Sequence, residues 1–201
     1  MMTPLKILKQ AVAIFEQKNI TYCLVGGHAA SLYRTQERLT RDVDFAVLSE
    51  GGDVKKMAED VILELGLKPM IGFIPTSPQE QKRDSTCMVS ATPAKHEMKG
   101  IIDILLPVLP WVTQAVERAQ YNKINMGFAS VPTIPPEDLI VAKCYALNNS
   151  PDRFQDLDDL KEIFTAVSDL DLDYVNQQLG MLNVSIPESI KKYVRQKRHG
   201  R

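Results

Sequence analysis

Cysteine is scarce in this chain, and the three present, Cys23, Cys87 and Cys144, are odd in number and far apart. No C-x-x-C pair occurs, which argues against a disulfide framework or a zinc knuckle and suits a reducing, cytoplasmic setting. Long hydrophobic runs are missing as well. The longest, 101–112, is broken by Asp103, Pro107 and Pro110 and is too short to span a bilayer. The opening MMTPLKILKQAVAIFEQK keeps charge throughout and has no small-residue cleavage site, against a signal peptide. No membrane partner is therefore expected. Strong charge of one sign is absent too: 24 basic and 25 acidic residues leave a net charge of −1. Whole-molecule charge thus gives no reason to expect nucleic acid or an anionic membrane. Internal repeats and low-complexity segments are not found.

What is present is ordinary globular composition, 44% hydrophobic and 24% charged over 201 residues, enough for one substantial domain or one domain with a helical appendage. The basic charge is unevenly placed. Lys191, Lys192, Arg195, Lys197, Arg198 and Arg201 put six of the 24 basic residues into the last eleven positions. Such a tail on an acidic body could meet a polyanion such as RNA, or simply be a solvated, fraying terminus.

Apolar periodicity sets the organisation. Leu5, Leu8, Val12 and Phe15 recur at helical spacing, so 4–18 reads as an amphipathic helix starting at Pro4. TYCLV, 21–25, is rich in β-formers and reads as a strand. Gly26 and Gly27 turn the chain, 28–34 reads as a short helix, and DVDFAVL, 42–48, reads as a second strand. Val54, Met57, Ala58, Val61, Ile62 and Leu65 mark a helix that ends at Gly66. Strands follow in 68–74, 85–92 and 100–106, with a polar loop, 75–84, between the first two. A helix over 111–120 and a return to strand in 122–131 complete this part. From Pro136 onward the pattern is helical, in three or four pieces, with acids in the first turn where a helix N-terminus favours them. The expected fold is α/β (α+β): a mixed β-sheet core flanked by helices over 1–133, and a helical C-terminal lobe, 134–201, packed on it.

Asp42 and Asp44 sit in the middle of that pattern, although strands disfavour Asp and like charges on one face repel. Alternation points them the same way, with Cα atoms about 6–7 Å apart. Two carboxylates at that spacing can share a divalent cation such as Mg²⁺, or can face solvent at a strand end. Asp103, flanked by Ile101, Ile102, Ile104 and Leu105, belongs to an expected central strand and needs a partner there. That partner is either a nearby basic residue or the same metal. Three acids on neighbouring strands would make a site that activates an attacking hydroxyl and neutralises a departing phosphate. The Gly26–Gly27 turn would expose backbone N–H groups to an anion.

With these residues in view, the chain resembles the nucleotidyltransferase superfamily, which has the polymerase-beta-like palm, and within it the AbiEii/AbiGii-type toxin nucleotidyltransferases. Their first motif has G-G-x-A after a strand and R-x-[ST]-x-D-h-D-[FL] in the next. Here Gly26, Gly27, Ala29, Arg38, Thr40, Asp42, Asp44 and Phe45 match it. Their second block, a helix with an inward lysine and then a basic-x-x-D-x-x-D-L run, is matched by Lys143, Arg153, Asp156, Asp159 and Leu160. The resemblance implies catalytic, metal-holding acids at Asp42, Asp44 and Asp103, with Mg²⁺ or Mn²⁺ as cofactor. It implies nucleotide binding by Gly26, Gly27, His28, Arg38, Thr40, Lys143 and Asp156, with Lys143 on the phosphates of an NTP. His28 could equally cap the short helix, Arg38 could pair with Glu37 or Asp42, and Lys143 with Asp156 could be an ordinary helix-face ion pair. Arg34 and Arg41 also lie where triphosphate charge would need compensation.

The implied activity is transfer of a nucleoside monophosphate to an acceptor hydroxyl of RNA, notably a tRNA end reached through the basic tail, or of a protein. The setting would be a toxin paired with a cognate antitoxin. An antibiotic-type enzyme with a small-molecule acceptor, and a non-catalytic nucleotide- or partner-binding module, are the other readings. Loss of an acid is the usual sign of the last, and none is missing. The chain departs from the family at Gln155, where a basic residue is common, and the loop between Lys143 and Asp156 is short. His96 and His199 are expected to be bystanders.

Overall fold

The computed structural model describes residues 3–36, 38–49, 51–72, 88–92 and 102–199. The expected polar loop 75–84 and His96 lie outside the described residues, as does Glu37. Two compact units are formed: residues 1–28 with 39–134, and residues 29–38 with 135–201.

The first unit is built on a five-stranded mixed sheet of order β1-β2-β5-β4-β3, from β1 (Thr21–Val25), β2 (Val43–Leu48), β3 (Lys68–Gly72), β4 (Met88–Thr92) and β5 (Ile102–Leu105). The β2–β5 pair is parallel, and β1–β2, β4–β5 and β3–β4 are antiparallel. Helix α1 (Pro4–Gln17) starts because Thr3 caps it, its hydroxyl accepting from the Lys6 N–H, and because Pro4 needs no donor in the first turn. Its apolar face buries Ile7, Leu8, Ala11, Val12 and Phe15, while Leu5 in the first turn stays largely exposed.

Phe15 carries α1 onto the sheet. Its ring stacks on Tyr22 at 4.7 Å and meets the edge of Phe45 at 5.0 Å. Since side chains alternate along a strand, Phe45 on this face leaves Asp44 on the opposite one. Helix α3 (Val54–Glu64) is capped by Asp53, whose side chain accepts from the Lys56 N–H. Helix α4 (Val112–Ala119) packs Ala115, Val116 and Ala119 inward.

Residues 122–131, read as one strand, instead make a hairpin of β6 (Lys123–Asn125) and β7 (Ser130–Pro132). Gly127, at φ +78°, turns it, and its N–H donates to Asn125 Oδ1 at 2.8 Å. The short helix expected from His28 begins at Gly26, so α2 (Gly26–Leu32) leaves β1 without a loop.

The second unit is helical after α2: α5 (Pro136–Asn149), α6 (Phe154–Ala166), α7 (Leu172–Met181), a 3-10 turn (Glu188–Ile190) and α8 (Lys191–His199). Leu139, Cys144, Leu160, Ile163, Val175 and Leu179 form its core. The acids opening α5 fix α7. Tyr174 donates its hydroxyl to Asp138, and the Asp171 N–H donates to Glu137 at 3.2 Å. Among the described residues no helix is long and apolar enough to cross a membrane.

Candidate active site

Strand register brings the expected acids together in the first unit. In the parallel β2–β5 ladder Asp44 is the partner of Asp103, so the two Cα atoms stand about 4.8 Å apart on neighbouring strands. On the other side of Asp103 the antiparallel β4–β5 ladder places Ser90. Val25 is the β1 partner of Asp44, and the next residue is Gly26. A row of Ser90, Asp103, Asp44 and the glycine corner therefore crosses four strands at one level. Asp42 lies in the bend just before β2, so its side chain is not governed by strand alternation.

The glycine corner is shaped to the acid beside it. Gly26 has φ +61°, and a Cβ placed there would lie 2.0 Å from Asp44 Oδ2. Only glycine fits, on both counts. The following N–H, from Gly27, donates to the same oxygen at 3.4 Å. The bare backbone of the corner thus lies directly against the Asp44 carboxylate.

Burial pushes the Asp103 carboxyl above the ordinary carboxylate range; a hydrogen bond from Ser90 works against that shift, and the charge of Asp42 adds to it. Ser90, 8% exposed, is a neighbour of Asp103 that sequence reading did not single out. A serine inside a short β-forming run carries no signal until the register shows what it faces.

Among the described residues no group of three or more His, Cys, Asp and Glu side chains is arranged to hold a metal ion as it stands. The donor chemistry still fits a hard cation. Asp44 and Asp103 offer carboxylate oxygens from adjacent strands, and Asp42 lies close enough to shift Asp103. Mg²⁺ completes its shell with water and phosphate oxygens, so two or three carboxylates suffice.

Of the other sequence-derived candidates, His28 is a half-buried residue of α2. Thr40 lies outside any helix or strand, with a buried hydroxyl oxygen that makes no hydrogen bond. Arg38, Lys143 and Asp156 belong to the second unit, where they join an ion-pair cluster. The Lys143 ammonium on α5 donates to Asp156 Oδ1 at 2.7 Å and to Asp159 Oδ2 at 2.6 Å on α6. Arg153 also donates to Asp156, and Arg34 and Arg38 to Asp159. Burial opposes the Asp156 charge, but Lys143 and Arg153 outweigh it and hold the carboxyl below its ordinary range. Lys143 is 4% exposed, with two of its three N–H groups engaged by Asp156 and Asp159.

Residues 7–183 match the family described as "Nucleotidyl transferase AbiEii toxin, Type IV TA system". No curated protein matches the sequence significantly. The solution structure of the antibiotic-resistance factor ANT(2'')-Ia aligns over 99% of this chain and 98% of that one, at 15% identity and a TM-score of 0.55. The crystal structure of ANT(2'')-Ia in complex with adenylyl-2''-tobramycin aligns over 88% and 95%, also at 15% identity and 0.55. At that identity the likeness is one of fold, and it agrees with the mixed α/β architecture above.

Proposed function

Because the chain belongs to the AbiEii toxin nucleotidyltransferase family, and is an enzyme of that type, we propose that it moves a nucleoside monophosphate from an NTP to a hydroxyl of RNA or protein. In this reading it is the toxin of a toxin–antitoxin pair, and its partner is a cognate antitoxin. The observation that carries the reading is the cross-strand pairing of Asp44 with Asp103 beside a glycine corner that tolerates no side chain.

Asp42, Asp44 and Asp103 would hold Mg²⁺ or Mn²⁺. When bound, that ion supplies charge neutralisation on the phosphate oxygens and the departing pyrophosphate. The chain's own residues have separate work. Asp103 would complete that set and polarise the attacking acceptor hydroxyl. Ser90 holds Asp103 in orientation through its hydroxyl. Gly26 lets the backbone close on Asp44, and Gly26 and Gly27 are proposed to face the phosphates of the NTP. His28 and Thr40, next to the corner and the acids in sequence, are proposed nucleotide contacts.

From the second unit, Arg38, Lys143 and Asp156 are proposed for nucleotide binding, Lys143 through its ammonium and Asp156 by orienting it. Helix α8, with Lys191, Lys192 and Arg195, favours a polyanionic acceptor such as tRNA. The barrier would fall mainly through positioning and charge neutralisation.

The test is incubation with each labelled NTP, Mg²⁺ or Mn²⁺, and total tRNA or cell extract, beside the Asp42→Ala/Asp44→Ala variant. Label should pass to a macromolecule with the wild type and not with the variant. Wild-type protein that neither transfers label nor binds metal-NTP would overturn the reading. Equal nucleotide binding by both proteins would remove Asp42 and Asp44 from the metal site.

A further inference from the structure

Helix α6 carries a polar stripe at Gln155, Asp158, Asp159 and Glu162, positions i, i+3, i+4 and i+7 of one face. Arg34, Thr35 and Arg38, which follow α2 in the chain, spend their side chains on that stripe. Arg34 forks across Asp158, at 2.7 Å, and Asp159; Thr35 donates to Glu162 at 3.0 Å; Arg38 donates to Asp159 and, at 3.1 Å, to Gln155. Asp159 is wholly buried and takes three cations at once, Arg34 on one oxygen and Arg38 and Lys143 on the other. The Arg34 side chain is only 5% exposed, so this is not a loose surface pairing.

We propose that Asp159 is a positioning residue. It clasps Arg34 and Arg38 to α6 and thereby orients Arg38 and Lys143, the two cations proposed for nucleotide binding. The inference deepens the proposed nucleotidyl transfer and rests on it. The same carboxylate also fixes Lys143 and Arg38, so both proposed phosphate cations take their orientation from it. A guanidinium binding two carboxylates at once has a planar fork that a lysine cannot reproduce, which makes Arg34 the specific partner. Asp159 touches no reacting atom in this reading; it acts through Arg34, Arg38 and Lys143.

The experiment combines nucleotidyl-transfer kinetics with limited tryptic cleavage after Arg34 and Arg38, on wild type, Asp159→Asn and Arg34→Lys. Wild type should resist cleavage there, because a side chain held in ion pairs is not free to enter the protease. Asp159→Asn should open both bonds and lower kcat by about 10–100-fold at a temperature where circular dichroism shows a folded chain, because small misplacements of substrate-binding groups are that expensive. Arg34→Lys keeps the charge and disturbs folding less, so it should give a smaller loss of the same kind; it serves also if Asp159→Asn does not fold. Three results would overturn the clasp: rapid cleavage after Arg34 and Arg38 in folded wild type, variants with wild-type kcat and KM, or activity that falls only with the unfolded fraction while cleavage stays unchanged. Wild type that resists cleavage yet transfers no nucleotide would instead sink the proposed activity and leave the clasp as architecture.

Discussion

Asp103 and Asp156 are both largely buried carboxyls on regular elements, yet one is pushed above the ordinary range and the other below it. Burial acts on both in the same direction, against the charged form. The neighbours decide the outcome. Asp156 meets Lys143 and Arg153, which overcome the burial term, whereas Asp103 meets a serine hydroxyl and the like charge of Asp42. A carboxylate matched by internal cations is completed by the fold. One set against another carboxylate raises the free energy of the folded chain and gains when a cation arrives. Functional sites are where proteins keep such strain.

The comparison breaks most visibly on activity. Replacing both Asp42 and Asp44 with alanine should lower nucleotidyl transfer by at least about 10³-fold, more than loss of a single transition-state donor removes, read as label moved from NTP to acceptor. Transfer within tenfold of wild type would mean that these carboxylates are not held for a cation. The next effect is on stability, and the same chemical change should have opposite signs in the two places. Asp159→Asn leaves three cations without their shared anion, a loss of about 3–5 kcal/mol, or roughly 6–20 °C in Tm for a chain of this size. Asp103→Asn removes a buried like charge and should leave Tm unchanged or raise it while abolishing transfer. Paired thermal melts decide this, and a large drop in Tm for Asp103→Asn would erase the distinction.

Much of the first unit was legible because its signals are local. TYCLV, the glycines and the apolar run from Val43 marked β1, the corner and β2 by composition, although Asp42, read as part of that strand, lies in the bend before it. The convergence of Asp103 with Asp44 was legible only as an expectation from an acid in an apolar run, since register is a tertiary fact. Ser90 was invisible for that reason. In the second unit, periodicity placed Asp156 and Asp159 on one helix face, but not the Gln155, Asp158, Asp159 and Glu162 stripe, because its partners lie more than a hundred residues earlier. Arg38 matched the motif as a nucleotide contact; its bonds to Asp159 and Gln155 give it a structural duty that a one-dimensional pattern cannot express.

Gly26 sharpens the comparison at smaller scale. Gly26→Ala would force a side chain into a left-handed conformation, about 1–2 kcal/mol, and drive its Cβ toward Asp44 Oδ2. We expect a modest fall in Tm with a disproportionate loss of transfer, because the displaced atom belongs to the acid row. A variant that melts lower but keeps kcat would show that Asp44 can move without consequence.

The smallest effect is in the pH dependence of stability. Asp156 has a folded pKa below its ordinary 3.8, so its contribution is complete above that value and is lost as pH falls through the lower folded one. Asp103 has a folded pKa above 3.8, so between 3.8 and the raised value the folded state binds more protons, and stability falls as pH rises. The two limbs belong to different units. Urea unfolding from pH 3 to 7 should show Lys143→Met flattening the limb below 3.8, and Asp103→Asn flattening the limb above it. Each change is worth about 1.4 kcal/mol per unit of pKa shift removed. Either substitution flattening the other's limb would mean that the two carboxylates do not owe their opposite shifts to the neighbours named here.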